Sequence, residues 1–161
     1  MTNDRAVVGL ISALSFFFLL SLTLYIFLPG KLVRTVLNFP DEISRVLSPE
    51  VRSLPFSWDR EHNVELTVRE ILLGPARHDH LRLFSRESGL LSVLVRNEKV
   101  YIDLSKETFL PDPDVLYSSQ IALDVLKSTL VSNFAGITAV VISVEGEPAG
   151  EISLTKDKAS I

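Results

Sequence analysis

The chain has 161 residues, 47% of them hydrophobic, with 16 Lys and Arg against 20 Asp and Glu for a formal charge of −4. Its basic residues are interspersed with acidic ones, which is not the electrostatic footprint of a phosphate-binding surface, so nucleic acid is not an expected partner. Cysteine is absent, which removes disulfides, thiolate metal sites and a lipidated-cysteine anchor together.

From Ala6 to Leu28 the sequence AVVGLISALSFFFLLSLTLYIFL carries no charge. As a helix it is long enough to cross a hydrocarbon core of roughly 30 Å. A cleaved signal peptide would have a shorter apolar region and a small-residue cleavage site, whereas this run is followed by Pro29-Gly30-Lys31. Residues 1–5 are therefore expected to be a short N-terminal tail and residues 6–28 a single transmembrane helix. The remainder is the usual size for one domain with its own core, expected over 31–154, with a flexible tail at 155–161.

Leu32 to Phe39 is rich in β-branched residues and stops at Pro40-Asp41, so it reads as a first strand. Glu42 to Pro55 contains Pro49 and Pro55 among alternating charges, which suggests a short helical turn and then an extended piece near Val51 to Trp58. From Glu61 the spacing becomes helical, with Val64, Val68, Ile71 and Leu72 on one face, ending at Gly74-Pro75. Gly74 is expected in the left-handed conformation just past the last turn.

Leu90–Arg96 and Lys99–Ser105, separated by Asn97-Glu98, have the spacing of a β-hairpin. In its second arm Val100, Ile102 and Leu104 alternate with Tyr101, Asp103 and Ser105, giving a buried and a polar face. Asp112-Pro113-Asp114 reads as the cap region of a second helix, which carries Ala122, Val125, Leu126, Thr129 and Leu130 on one side and ends near Asn133 to Gly136. Ile137 to Val144 is apolar on both faces, as a central strand would be. Glu145 to Pro148 turns the chain towards an edge strand at Gly150 to Leu154.

Two helices with one apolar stripe each can both be accommodated by one face of one sheet. The expected fold is α+β, a two-layer sandwich of a mixed β-sheet with two helices on one face.

Few residues suggest chemistry. His78-Asp79-His80 has metal-ligand residue types, but nothing nominates a third ligand, so it reads as a solvated loop and no metal is expected. Asp112 and Asp114 read as a turn with a cap rather than an acid/base pair. His62 has no nucleophile elbow or glycine-rich phosphate loop to work with. Trp58 reads as a partly buried packing residue. No catalytic residue, cofactor or small-molecule substrate is expected.

Five stretches in order resemble the GerMN domain, the sporulation and spore germination module of bacterial envelope proteins. They are the strand ending Leu37-Asn38-Phe39-Pro40-Asp41, the helix end Ile71-Leu72-Leu73-Gly74-Pro75, and the strand Val100-Tyr101-Ile102-Asp103-Leu104-Ser105. The helix with Thr129-Leu130 and the closing strand Ile137 to Gly146 follow in register. The chain departs from the family in lacking a proline-containing loop between Pro75 and Leu90, and in having an apolar helix where a lipoprotein cysteine is familiar.

The resemblance implies a fold similar to ring-building motifs of secretion-type assemblies, an extracytoplasmic location, no known catalytic residues and a role in envelope complexes. It does not imply sporulation. The expected protein is a single-pass inner-membrane protein of a bacterium whose domain binds other envelope proteins or copies of itself. Tyr101 and Asp103 on the exposed sheet face, and the edge strand near Gly150 to Leu154, are the expected partner surface. A rival expectation is a peptidoglycan-directed hydrolase or carbohydrate-binding enzyme using Asp103, Asp112 and Asp114. In that case two of these carboxyl groups should converge in one pocket.

Overall fold

A long apolar run behind four polar residues makes the first element. The computed structural model describes residues 2–27 and 30–152; the expectations placed on Met1, on Leu28 and on residues 153–161 lie outside them. Helix α1 spans Thr2–Phe27. Its stretch Val7–Phe27 is long and apolar enough to cross a membrane, and none of it is covered by protein. The chain divides after Lys31, and the rest forms a second compact unit.

Two strands open that unit. β1 (Leu32–Pro40) and β2 (Leu47–Pro55) pair antiparallel from Leu32↔Pro55 to Pro40↔Leu47. The expected helical turn is a single one, closed by the Arg45 N–H donating to the Asp41 carbonyl at 3.0 Å, and the extended piece begins earlier than the sequence suggests. Pro49 and Pro55 are tolerated because this ribbon is a sheet of its own, so β2 has an edge unpaired among the described residues, where a missing N–H costs no ladder bond. The turn between the strands is held by Asp41, whose Oδ1 accepts from the amides of Ile43 and Ser44 and from the Ser44 hydroxyl.

Helix α2 runs Arg60–Leu73, with Asp59 as its cap accepting from the Glu61 N–H. Its buried residues are the predicted Val64, Val68, Ile71 and Leu72, together with Thr67. Gly74 ends it with φ 88° and ψ −177°, an extended conformation of positive φ rather than the left-handed one expected. Both conformations belong to glycine.

β3 (Leu90–Arg96) and β4 (Lys99–Leu104) form the predicted hairpin, with Asn97 at φ 55° in its turn. A 3-10 turn at Lys106–Phe109 leads to helix α3, Ser119–Asn133. The cap of α3 is Ser118, not Asp112 or Asp114. β5 (Ala139–Val144) then joins β4 in parallel, which the intervening helix makes possible as a crossover. β6 (Glu147–Ile152) returns antiparallel from a turn of just Glu145 and Gly146, both at positive φ. It starts earlier than the expected Gly150, because these two residues complete the hairpin turn by themselves.

The main sheet has the order β3-β4-β5-β6, mixed in direction, with β5 in the expected central place. The two-stranded ribbon stands apart from it, whereas the sequence reading put the first strand in a single sheet. The fold is nonetheless the expected α+β class, with the two helices against the sheet's inner face. Leu72, Leu104 and Leu126 are all buried, and one core cluster takes in Val100, Ile102, Val140 and Ile142 from the sheet, residues of both helices, and Leu37 and Phe39 from the ribbon.

Candidate functional site

Alternation along β4 sends Tyr101 and Asp103 to the outer sheet face. There Tyr101 lies opposite Leu94 of β3 and beside Val141 of β5. Leu94 and Tyr101 are 41% and 40% exposed, so among the described residues this strip of apolar surface faces outward without a cover. Asp103 is more occupied. Its Oδ1 accepts from the Ser143 hydroxyl at 2.8 Å and the Gly146 N–H at 2.9 Å, which ties β4 to the β5–β6 turn.

The other two carboxylates named from sequence serve a different loop. Asp112 accepts from the backbone amides of Arg86 and Asp114, both at 2.9 Å, and Asp114 pairs with the Arg86 guanidinium. The Arg86 N–H and then the Asp114 N–H hold the Asp112 carboxyl below its ordinary value. Asp112 lines a cavity of about 370 Å³ with Phe84, Phe109 and Tyr117. Asp114 lines a separate cleft of about 440 Å³ with Arg77, His78 and Arg82.

The His78-Asp79-His80 segment is not the solvated loop the sequence suggests. His78 and Asp79 are exposed, but the His80 side chain is fully buried, because Glu42 N donates to Asp79 O and Leu81 N to Pro40 O, drawing the segment against the end of β1. Ligand-type atoms of Asp41, Asp79 and His80, without His78, come within 4.8 Å of one another. Two of the three are already engaged: Asp41 holds its own turn, and Asp79 pairs with Arg77, the largest cause of its lowered pKa. A metal ion there would have to displace Arg77. His80 Nδ1 stands 3.5 Å from Glu50 Oε2.

Glu50 is the centre of the most developed polar network, which the sequence reading missed. Arg52 donates to Glu50, to Glu70 and to the Gly74 carbonyl, while Ala76 N donates to Glu50. Burial opposes the charge on Glu50, yet Arg52 and the Ala76 amide outweigh it and hold the carboxyl below its ordinary value. The β2 register carries Glu50 and Arg52 inward on the face of Leu37 and Thr35. Inward charges at alternate positions of a strand were the available signal, hidden by the reading of this segment as irregular.

Trp58 is also placed otherwise than expected. It is 89% exposed, and among the described residues its aromatic contact is an edge-to-face one with Phe56, ring centres 5.3 Å apart. Its loop is fixed by Asn63, whose side chain accepts from Ser57 N at 2.8 Å and donates to Ser57 O at 2.6 Å.

Residues 23–150 match the family described as "Germane: Sporulation and spore germination". The chain belongs to this GerMN family. Among solved structures, the first GerMN domain of the sporulation protein GerM from Bacillus subtilis is similar, with a TM-score of 0.57 at 17% identity. That likeness covers 76% of this chain and 94% of that one. The tandem GerMN domains of the same protein give a TM-score of 0.56 at 15% identity, covering 73% of this chain and 40% of theirs. These likenesses concern the GerMN fold alone. No curated protein matches the chain.

Proposed function

We propose that this GerMN protein is a non-catalytic interaction module of the bacterial envelope, anchored by α1 with its domain outside the cytoplasm and assembling with itself or other envelope proteins. The observation that carries this is the outer sheet face, where Leu94, Tyr101 and Val141 present an apolar strip on a rigid sheet. Exposed contiguous apolar surface of this kind marks association sites. The engagement of Asp103, Asp112 and Asp114 in holding turns supports a binding role over a hydrolytic one, as does membership of a family not known for enzymatic activity. Tyr101 is the central contact in this proposal, and Asp103, on the same face, fixes the β5–β6 turn beside it.

The experiment is site-specific photocrosslinking in cells from Leu94 and from Tyr101, with Glu65, half-buried on α2, as the comparison position. Adducts from the two sheet positions, absent from Glu65, are the expected outcome. Equal labelling at all three positions, or none, would count against the sheet face as the interaction surface.

A further inference from the structure

The geometry points to a second surface: the Phe56–Trp58 loop is a membrane-interface contact, seated among the lipid headgroups of the same bilayer that holds α1. This rests on the reading of α1 as an anchor. The loop's position in the fold is the first argument. Leu32 is the first residue of β1 and pairs with Pro55, the last residue of β2. Paired Cα atoms across an antiparallel ladder are about 5 Å apart, so the chain enters the domain beside the point where the aromatic loop leaves it.

The second argument is chain length. Residues 28–31 separate the end of α1 from the start of β1. The five steps from Phe27 to Leu32, at about 3.5 Å each, span at most roughly 18 Å. The headgroup region beyond the hydrocarbon core is itself some 5 to 8 Å deep. If α1 spans the membrane, the Leu32–Pro55 end of the ribbon cannot move far from the bilayer surface.

The third argument is the chemistry displayed there. Tryptophan is on average highly buried in globular proteins, yet Trp58 is among the most exposed large side chains of the domain. Pro55, three residues before it, is exposed, as is its ladder partner Leu32, and Lys31 and Arg34 are exposed at the same strand end. An aromatic ring with a polar tip, small apolar neighbours and cations suited to lipid phosphates is the composition favoured at a membrane–water interface. The Asn63 clamp on Ser57 keeps the loop in one conformation, so little ordering is needed on contact. The short tether raises the local concentration of bilayer, which lets a contact of one or two side chains suffice.

Trp58 is the only tryptophan in the chain, so its fluorescence reports this loop alone. The full chain is reconstituted in phosphatidylcholine–phosphatidylglycerol vesicles, and Trp58 is quenched either by lipids brominated near the headgroup or by iodide present on both sides of the bilayer. The expected result is strong loss of emission with the brominated lipids and little with iodide. Protein that floats with the vesicles while Trp58 is quenched by iodide and not by brominated lipid would overturn the membrane contact and leave the anchor intact. Protection from both quenchers would assign the loop to a protein partner or a second copy, and would equally overturn it. A chain that does not float with the vesicles would overturn the anchor and this inference together.

Discussion

The side-chain amide of Asn133 pairs with both backbone groups of Val36: its Oδ1 accepts from the Val36 N–H at 2.9 Å, and its Nδ2 donates to the Val36 carbonyl at 2.7 Å. These backbone groups point away from β2, so the last residue of α3 occupies part of the edge at which another strand could add. The same Nδ2 also donates to the Thr129 carbonyl, fixing the amide on its own helix. Asn133→Ala removes all three bonds and should cost about 1–3 kcal/mol, since each exchanges partly with water. Denaturant unfolding measures the loss, and hydrogen exchange at the Val36 amide should accelerate. An unchanged exchange rate at Val36 would mean that the pairing is not formed in solution.

Gly74 is a position where a side chain has no room. A Cβ there would lie 2.5 Å from the Arg82 guanidinium, which donates to the carbonyls of Leu72 and Leu73 and so completes the C-terminal end of α2. Its φ of 88° with ψ near 180° is also strained for any L-residue. Gly74→Ala combines the two effects and should destabilise by about 2–4 kcal/mol. Arg82→Lys, which cannot span both carbonyls, should cost less. Equal costs would place the loss in the cap alone, against a role for backbone strain.

The Glu50 network makes stability depend on pH with a definite sign. The folded state holds the Glu50 carboxyl below its ordinary value of 4.5. Its contribution is therefore complete above that value and is lost as pH falls through the lowered folded pKa. Glu50→Gln should reduce stability at neutral pH by about 2–3 kcal/mol, because the Ala76 amide and Arg52 lose a charged acceptor. The variant should also show a shallower decline below pH 4.5 than the parent in urea titrations at several pH values. Asp41, Asp79 and Asp112, all lowered as well, leave some decline in the variant. Parallel curves for the two proteins would remove Glu50 from the acid response.

Where periodicity is local, the sequence was sufficient. The inward faces of α2 and α3 and the alternation of β4 follow from spacing within single elements, and Leu126 is buried as that spacing requires. Leu126→Ala should cost about 2–5 kcal/mol, whereas Leu94→Ala, on the outer face, should change stability by less than about 0.5 kcal/mol. Similar losses would mean that the outer face is covered in solution. Features that depend on distant pairing were not legible. The prolines of β2 obscured a strand whose partner is β1, and His80 became buried through contacts with residues forty positions earlier. Leu83 and Phe84 entered the core from a segment without any period. The exposure of Trp58 was equally invisible, since residue type alone argues for the interior.

The orientation of the chain is a conflict between two physical tendencies. Arg5 precedes the apolar span of α1, while Lys31, Arg34 and Arg45 follow it, and the excess of Lys and Arg near a membrane helix usually faces the cytoplasm. On charge alone the domain would lie inside. The rule is a bias in insertion, however, and long basic side chains close to the helix end can reach the headgroups on either side. In this chain Lys31 and Arg34 stand at the strand end assigned here to the membrane surface, where lipid phosphates neutralise them equally well outside. We therefore expect the N-terminus inside and the domain outside. Fusions placed after Ile161 test it with two reporters: alkaline phosphatase, active only after export, and a fluorescent protein that matures only in the cytoplasm. Phosphatase activity without fluorescence is the expected outcome. The reverse pattern would place the domain in the cytoplasm and remove the proposed envelope partners, while leaving the Trp58 contact to be met by the inner leaflet.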